Sequence, residues 1–331
     1  MATLAVTNPT LADLVRMTDP DGSIADVVEI LNETNEILAD MTWMEGNLTT
    51  GHRTTIRSGI PAPTWRKLYG GVQPNKSRTV QVTDNCGMLE AYAEQDKALV
   101  DMAGDPAKFR LMEDRAHIEG MNQEVAATLF YGDETSAPEE FTGLAPRYAD
   151  LSGDNARNII NEGDSSNLRS IWLICWSPMT CHGIVPKGST AGIQQRDLGE
   201  VTIEDVDGSG GRMQAYRTHY RWDVGLTVRD WRYAVRIANI DRTALVKNAA
   251  SGPDLNDLMH RAYGLIPSPQ IGRCAFYMTR EMVSFLRRQT AAAVSSSTLT
   301  TREVGGTMQT EWHGIPIRRV DALDADETAV S

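Results

Sequence analysis

The stretch that decides the fold runs from Asp105 to Asp133, DPAKFRLMEDRAHIEGMNQEVAATLFYGD. Asp105 is a good helix N-cap. Pro106 suits the first helical position, where its missing N–H would be unpaired anyway, and Gly132 is a natural stop. Nothing between Pro106 and Tyr131 breaks the pattern, so the spacing predicts one rod of roughly 39 Å at 1.5 Å per residue. An ordinary globular helix is less than half as long, about 11–12 residues. The predicted buried stripe is Leu111, Ile118, Met121, Val125 and Leu129, widened by Phe109, Met112, Ala116 and Phe130. Gly120 costs about 1 kcal/mol against alanine in mid-helix, which predicts either a close crossing there or firm packing along the rod.

Upstream, Ser23 to Leu38 shows apolar residues at helical spacing and reads as an amphipathic helix. From Gly46 to Thr83 glycine and proline become frequent. The flanks TTGHRTTIR and SRTVQVT alternate with the period of strands, which predicts a two-stranded ribbon with an irregular tip. The ribbon contains Arg53, Arg57, Arg66, Lys67, Lys76 and Arg78, with Trp65 among them, and no acidic residue. The chain as a whole has a net charge of −12, so the remainder is more acidic still. A lone ribbon is marginal in water. A basic one on an acidic protein is expected to rest on the acidic surface of another copy. Asp84 to Ala103 is expected to be helical, with Met88, Tyr92, Leu99 and Met102 inward and Gly104 as terminator.

After the rod the chain turns to β structure. SIWLICWS (Ser170–Ser177) reads as a buried strand. GEVTIEDV and MQAYRTHYRWDVGLTV alternate and flank a turn-rich tip that is expected to project: Asp207, Gly208, Ser209 and Gly210. DWRYAVRIANI continues the β character. Helices are predicted at Asp254–Tyr263, closed by Gly264, and at Thr279–Ala293, with the strand AFYM before the latter. AAAVSSSTLTT reads as a loop, and TEWHGIPIRRVDAL as a closing strand pair.

Composition narrows the function. Apolar and charged contents of 41% and 23% are ordinary for a folded soluble chain. The acidic balance argues against a dedicated nucleic-acid binder. No apolar run reaches the roughly 18–20 residues that span a bilayer. The first residues lack both a basic n-region and a continuous apolar core, so no signal peptide is expected and synthesis in a cytoplasm is. Cys86, Cys175, Cys181 and Cys274 follow no paired spacing and are expected to be free, mostly buried thiols. Asp205, Asp207 and Ser209 lack the spacing of a calcium loop. GIVPKGS lacks the phosphate-loop order, no G-x-S-x-G elbow is present, and the six histidines form no H-E-x-x-H. No catalytic residue, cofactor or metal is expected.

The order of parts is informative. EWHGIPIRRVDAL (Glu311–Leu323) is similar to the closing strand of many major capsid proteins of tailed bacteriophages with the Hong Kong 97-type fold. EILNETNEIL, TTIRSGIPAPTWRKLYGGVQPNKS, CGMLEAYAEQDKAL and EDRAHIEGMNQEVAATLFYGD resemble the capsid subunits of a group of short-tailed phages. FTGLAPRY and YRTHYRWDVGLTVRDWRYAVRIANI extend the resemblance over most of the chain.

The resemblance implies an α+β fold. Residues 1–45 would be an N-terminal arm and 46–84 an extended β-ribbon loop reaching over a neighbour's spine. Residues 85–145 would be a peripheral domain holding the spine helix, 146–305 an axial domain with a β insertion, and 306–331 the closing strands. The long β segment Cys181–Ile240 departs from the usual pattern: either the axial and peripheral parts interleave, or the strand order differs. The implied function is a shell of hexamers and pentamers enclosing double-stranded phage DNA, assembled in a bacterial cytoplasm and located in the virion. Portal and scaffolding proteins are implied partners, and a cement protein is left open. A cellular encapsulin-type compartment shares the fold. A hydrolase with a scattered site is the reading from another class.

Overall fold

The computed structural model describes residues 33–103, 105–163, 167–204, 210–247, 251–292, 299–304, 307–324 and 326–330. The predicted helix Ser23–Leu38 lies largely outside them, as do Asp207, Gly208 and Ser209 of the expected hairpin tip. In chain order the first elements are α1 (Ile37–Asp40), β1 (Trp43–Glu45), β2 (Gly51–Gly59), β3 (Arg78–Asp96), α2 (Lys97–Met102), α3 (Pro106–Tyr131) and α4 (Leu144–Arg147). Next come β4 (Ile159–Asn161), β5 (Leu168–Trp176), β6 (Cys181–Val185), β7 (Gln194–Glu204), β8 (Arg212–Val228) and β9 (Ala234–Asp241). The chain closes with α5 (Leu255–Leu265), β10 (Arg273–Met278), α6 (Arg280–Ala292), β11 (Leu299–Val304), β12 (Thr307–Trp312) and β13 (Ile315–Arg319).

All nine residues of β5 are buried, because the strand is covered on both faces. That explains why SIWLICWS is a continuous apolar run and not an alternation. Trp172, Ile174 and Trp176 enter one core with Met121, Val125 and Leu129 of α3. Ile171, Leu173 and Cys175 enter a second core with Leu258 and Met259 of α5 and with Met282 and Leu286 of α6. One 13-stranded sheet runs β11-β12-β13-β10-β5-β6-β8-β3-β2. Off that path β1 pairs with β6, β7 with β8, and β9 with both β4 and β5.

The rod forms as expected, as a single helix of 26 residues. The Asp105 carboxylate accepts the Ala107 and Lys108 N–H groups, both at 3.1 Å. At the other end the Gly132 N–H reaches the Thr128 carbonyl at 2.9 Å. A Cβ on Gly132 would lie 2.5 Å from the Phe141 carbonyl oxygen, so glycine there admits a returning backbone as well as ending the helix. The buried stripe holds in the second half, with Met121, Val125 and Leu129 inside and Ile118 half-buried against the same core. In the first half Leu111 and Ala116 are exposed, while Phe109 is buried and Met112 half-buried in a separate cluster with Leu99 and Val100. Among the described residues nothing crosses Gly120: a Cβ there would meet none of them within 4 Å. Its helix is held by packing along its length.

Several expectations are corrected. Asp84–Ala103 is not a helix. Strand β3 continues to Asp96, pairing with β8 from Cys86↔Gly225 to Asp96↔Ala215, and only Lys97–Met102 is helical. Met88 and Tyr92 share a face in a strand as well as in a helix, since four residues make two strand periods. That face points outward: Met88, Tyr92 and Met102 are exposed, and only Leu99 is buried. Residues Glu33 to Glu36 are not helical either, because Asn35 bridges to Val320 and the Glu36 N–H meets the Arg319 carbonyl. Gly264 lies inside α5, which runs one residue further, to Leu265. Part of the expected loop AAAVSSSTLTT is strand β11, paired with β12.

Nor are all four cysteines free. Cys175 and Cys274 are direct cross-strand partners between β5 and β10, and their sulfurs are bonded at 1.97 Å. The register that places them opposite each other spans 99 residues of sequence. Cys86 and Cys181 remain thiols, and burial pushes each up to about 12. Neither is a ready nucleophile, because the thiolate is the reactive form.

Candidate assembly surfaces

Strands β2 and β3 pair from Gly51↔Asn85 to Gly59↔Arg78, with an irregularity between Arg57 and Gly59. Beyond that point residues 60–77 contain no strand. The ribbon therefore projects on two strands and ends in an open tip. Its largest side chains face solvent: Trp65 and Tyr69 are fully exposed, and Ile60 and Leu68 nearly so. Single exposed apolar residues are ordinary, but four clustered at the end of an arm form a surface that wants cover. Among the described residues no carboxylate pairs with Arg57, Arg66, Lys67, Lys76 or Arg78. Arg53 is held at the root, its Nε donating to the Thr83 hydroxyl at 3.2 Å.

A complementary feature lies on α3. A hollow of about 940 Å³ runs along its middle, lined by Glu33, Gln123, Glu124, Glu281 and Asp321 among others. The arginines in that lining are already matched. Arg280 reaches Asp321 at 2.6 Å, and Arg242 reaches Glu281 at 2.5 Å. A smaller hollow of about 330 Å³, with Glu90 and His117 in its wall, lies against the same stretch of helix. Gly120 and Glu124 belong to both. The bare glycine backbone thus forms a saddle between two hollows with an acidic surround.

The body behind these surfaces is braced by buried charge. Arg236 on β9 lies 5.3 Å from the Trp172 ring centre and donates to the Ser170 hydroxyl at 3.0 Å and the Tyr148 carbonyl at 2.9 Å. It also meets Glu327 at 2.8 Å, and Glu327 accepts the Tyr131 hydroxyl from the end of α3 at 2.7 Å. The long arm β7–β8 is tied to the first half of α3 through Arg110, which pairs with Asp197 at 3.0 Å and covers the Tyr216 ring. At its far end Arg212 pairs with Glu204 at 3.0 Å. Gly210, the described residue of the expected tip, takes φ +81°, as a tight reversal requires.

The sequence located the ribbon cations and the rod, but not the saddle. The hollow draws on α3, on Arg242 just after β9, on Glu281 of α6 and on Asp321 after β13, so no local spacing announces it. The bare Gly120 was the one available sign. Among the described residues no three potential ligands gather around a metal position, and no helix is long and apolar enough to cross a membrane.

Comparison with known proteins gives the identity. Residues 19–331 match the family described as Major capsid protein GP7. The capsid structure of bacteriophage Epsilon15, obtained by cryo-EM and modelling, is 37% identical over all of both chains, with a TM-score of 0.79. The capsid of bacteriophage JBD30 shares the fold at 11% identity, covering 96% of this chain and all of that one, with a TM-score of 0.52. A search of curated proteins found no match. The long helix, the projecting ribbon and the sheet carrying β12 and β13 are therefore parts of a shell subunit and not of an enzyme, and the chain belongs to the GP7 family of major capsid proteins, with the Hong Kong 97-type fold, that build the icosahedral shell of tailed phages.

Proposed function

We propose that the ribbon is the clasp of the shell: its tip, Trp65 to Tyr69 with Arg66, Lys67, Lys76 and Arg78, lies across the acidic saddle at Gly120 of a neighbouring subunit. The observation that carries this is the unmatched state of the tip. It presents exposed aromatics and cations with no acidic partner among the described residues, on a chain whose net charge is −12. The saddle offers the complement, two hollows with carboxylates around exposed helix backbone. In this reading copies join as hexamers and pentamers around double-stranded DNA, which an acidic subunit encloses without holding it by charge. The segments that resemble short-tailed phage subunits favour a phage of that type, assembled in the host cytoplasm with portal and scaffolding proteins.

The test is a quadruple substitution, Arg66→Gln, Lys67→Gln, Lys76→Gln and Arg78→Gln, compared with wild type by sedimentation at matched concentration. Circular dichroism serves as the folding control. The variant is expected to stay folded, since exposed charges change stability by only about 0.5 kcal/mol each. It is expected to need at least roughly tenfold more subunit to assemble, because several exposed pairs at roughly 0.5–1 kcal/mol each sum past 1.4 kcal/mol. Equal assembly would show that the tip is not an electrostatic clasp. Loss of folding would place the ribbon in the subunit's own core.

A further inference from the structure

Two histidines sit where the ribbon joins the body. His52 is on β2, the ribbon's first strand, and His182 is on β6 of the body. Their rings meet edge to face, with centroids 5.8 Å apart and planes at 80°. His182 is fully buried and His52 nearly so. Neither ring has a hydrogen-bond partner at Nδ1 or Nε2 in the described structure, and the buried hydroxyls of Thr54 on β2 and Thr227 on β8 are equally unmatched. A neutral imidazole can donate one hydrogen bond and accept another. Four ring nitrogens and two hydroxyls left without partners at one junction call for a physical account.

The surrounding backbone is tight. A Cβ on Gly51 would lie 2.1 Å from the Asp84 carbonyl oxygen, and one on Gly46 would lie 2.4 Å from that of Gly51. The Gly46 N–H donates to Val185, and the Leu48 N–H to Gly51. The charged groups that act on the pair are few. Arg229, just after β8, acts on both rings and disfavours a proton on either. Asp84 on β3, the cross-strand partner of His52, favours a proton there. Its carboxylate is already bound by Arg147 of α4 at 2.8 Å. Each ring would also repel a proton on the other.

We propose that the root of the ribbon is a proton-operated joint, in which a proton taken up by the His52–His182 pair parts β2 from β6 and loosens the ribbon's first strand on the body, while β3 stays paired with β8. In the closed joint, among the described residues, no ring nitrogen of either histidine meets a partner and no carboxylate bonds to the rings, whereas the opened joint offers water. Protons therefore favour the open form. Burial, with Arg229 next, holds His182 down at about 4 while the joint is closed, so the joint stays neutral and shut near pH 7. The inference does not depend on where the ribbon tip docks.

Amide hydrogen exchange read by mass spectrometry on the full-length protein tests it. After correction for intrinsic rates, protection of Gly46 and Lys187, whose N–H groups bond across the joint to the Val185 and Leu48 carbonyls, is expected to fall by up to roughly tenfold per pH unit below about 6.5, while that of residues 168–176 stays level. A His52→Phe, His182→Phe variant should keep its protection across the same range. An equal fall in that variant, or no fall in wild type, overturns the proposal. Should the variant not fold, exchange at the imidazole C2 position titrates each histidine in wild type. A His182 midpoint well below 6.5 supports the joint, and one at or above 6.5 overturns it.

Discussion

Arg236 and Glu327 meet at 2.8 Å with only 4% of each side chain exposed, and through them the end of the chain is fastened to the end of the spine helix. Glu327 accepts from Tyr131 of α3 as well, Arg169 reaches Asp326 at 2.6 Å, and Asn239 holds the backbone of Val330 at both its N–H and its carbonyl. Residues 326–330 are thus built into the body. Glu327→Ala leaves a buried guanidinium unmatched, which costs about 3–5 kcal/mol. Urea unfolding should show that loss. The double variant Arg236→Met, Glu327→Leu should lose less than the two single variants together, because no charge is then stranded. Additive losses would mean that the pair is not coupled.

The two halves of the spine should respond differently to charge. Val125 is 2% exposed and Leu111 is 53% exposed. Val125→Asp places an unpaired charge in the core, at a cost of several kcal/mol, on the order of 3 or more, and should give insoluble subunits. Leu111→Asp should leave the subunit folded, with a change within about 1 kcal/mol. At the saddle, Gly120→Ala should stabilise the subunit by about 1 kcal/mol, because the added methyl meets none of the described residues. Gly120→Trp should fold but fail to assemble if a neighbour's ribbon crosses there. Thermal unfolding and sedimentation of these variants separate the two effects.

The Cys175–Cys274 bridge closes a separation of 99 residues. Constraining so long a loop in the unfolded chain contributes about 2–4 kcal/mol. Denaturation with and without reductant should differ by that amount in wild type and not at all in Cys274→Ala. Intact mass spectrometry under non-reducing conditions should show one disulfide and two free thiols. Four alkylatable thiols in native, unreduced protein would contradict the structure.

What the sequence made legible follows from locality. The rod was readable because cap, proline, periodicity and stop all lie within one stretch. The strands β5, β7, β8, β12 and β13 were readable because each alternates or forms a bounded apolar run. The first part of β3, in SRTVQVT, reads as strand, but its continuation from Asp84 reads as helix because Met88 and Tyr92 are four apart, a spacing that helix and strand share, and pairing with β8 decides between them. The disulfide and the Arg236–Glu327 pair depend on register between segments about 90–100 residues apart, which no local pattern carries. The ribbon cations were visible as a charge run, whereas the saddle is assembled only by the fold.

Stability should also depend on pH through His182. Its folded proton affinity lies below the ordinary value of 6.5, at about 4, because burial and then Arg229 disfavour the charged ring. The unfolded chain therefore binds the proton first as pH falls. Stability is fully present above about 6.5 and is lost progressively down to about 4, by at most about 3 kcal/mol. Denaturant midpoints taken across that window should shift more in wild type than in His182→Phe. Equal shifts would mean that other groups carry the dependence.

The central claim is that the ribbon of one subunit crosses the saddle at Gly120 of the next. A cryo-EM map of assembled shells measures it directly. The account predicts density for Trp65, Arg66 and Tyr69 against Gly120, Gln123 and Glu124 of a neighbouring subunit, with aromatic rings seated in the hollows and cations beside the carboxylates. A ribbon folded onto its own subunit, or a neighbour's saddle left open to solvent, would contradict it.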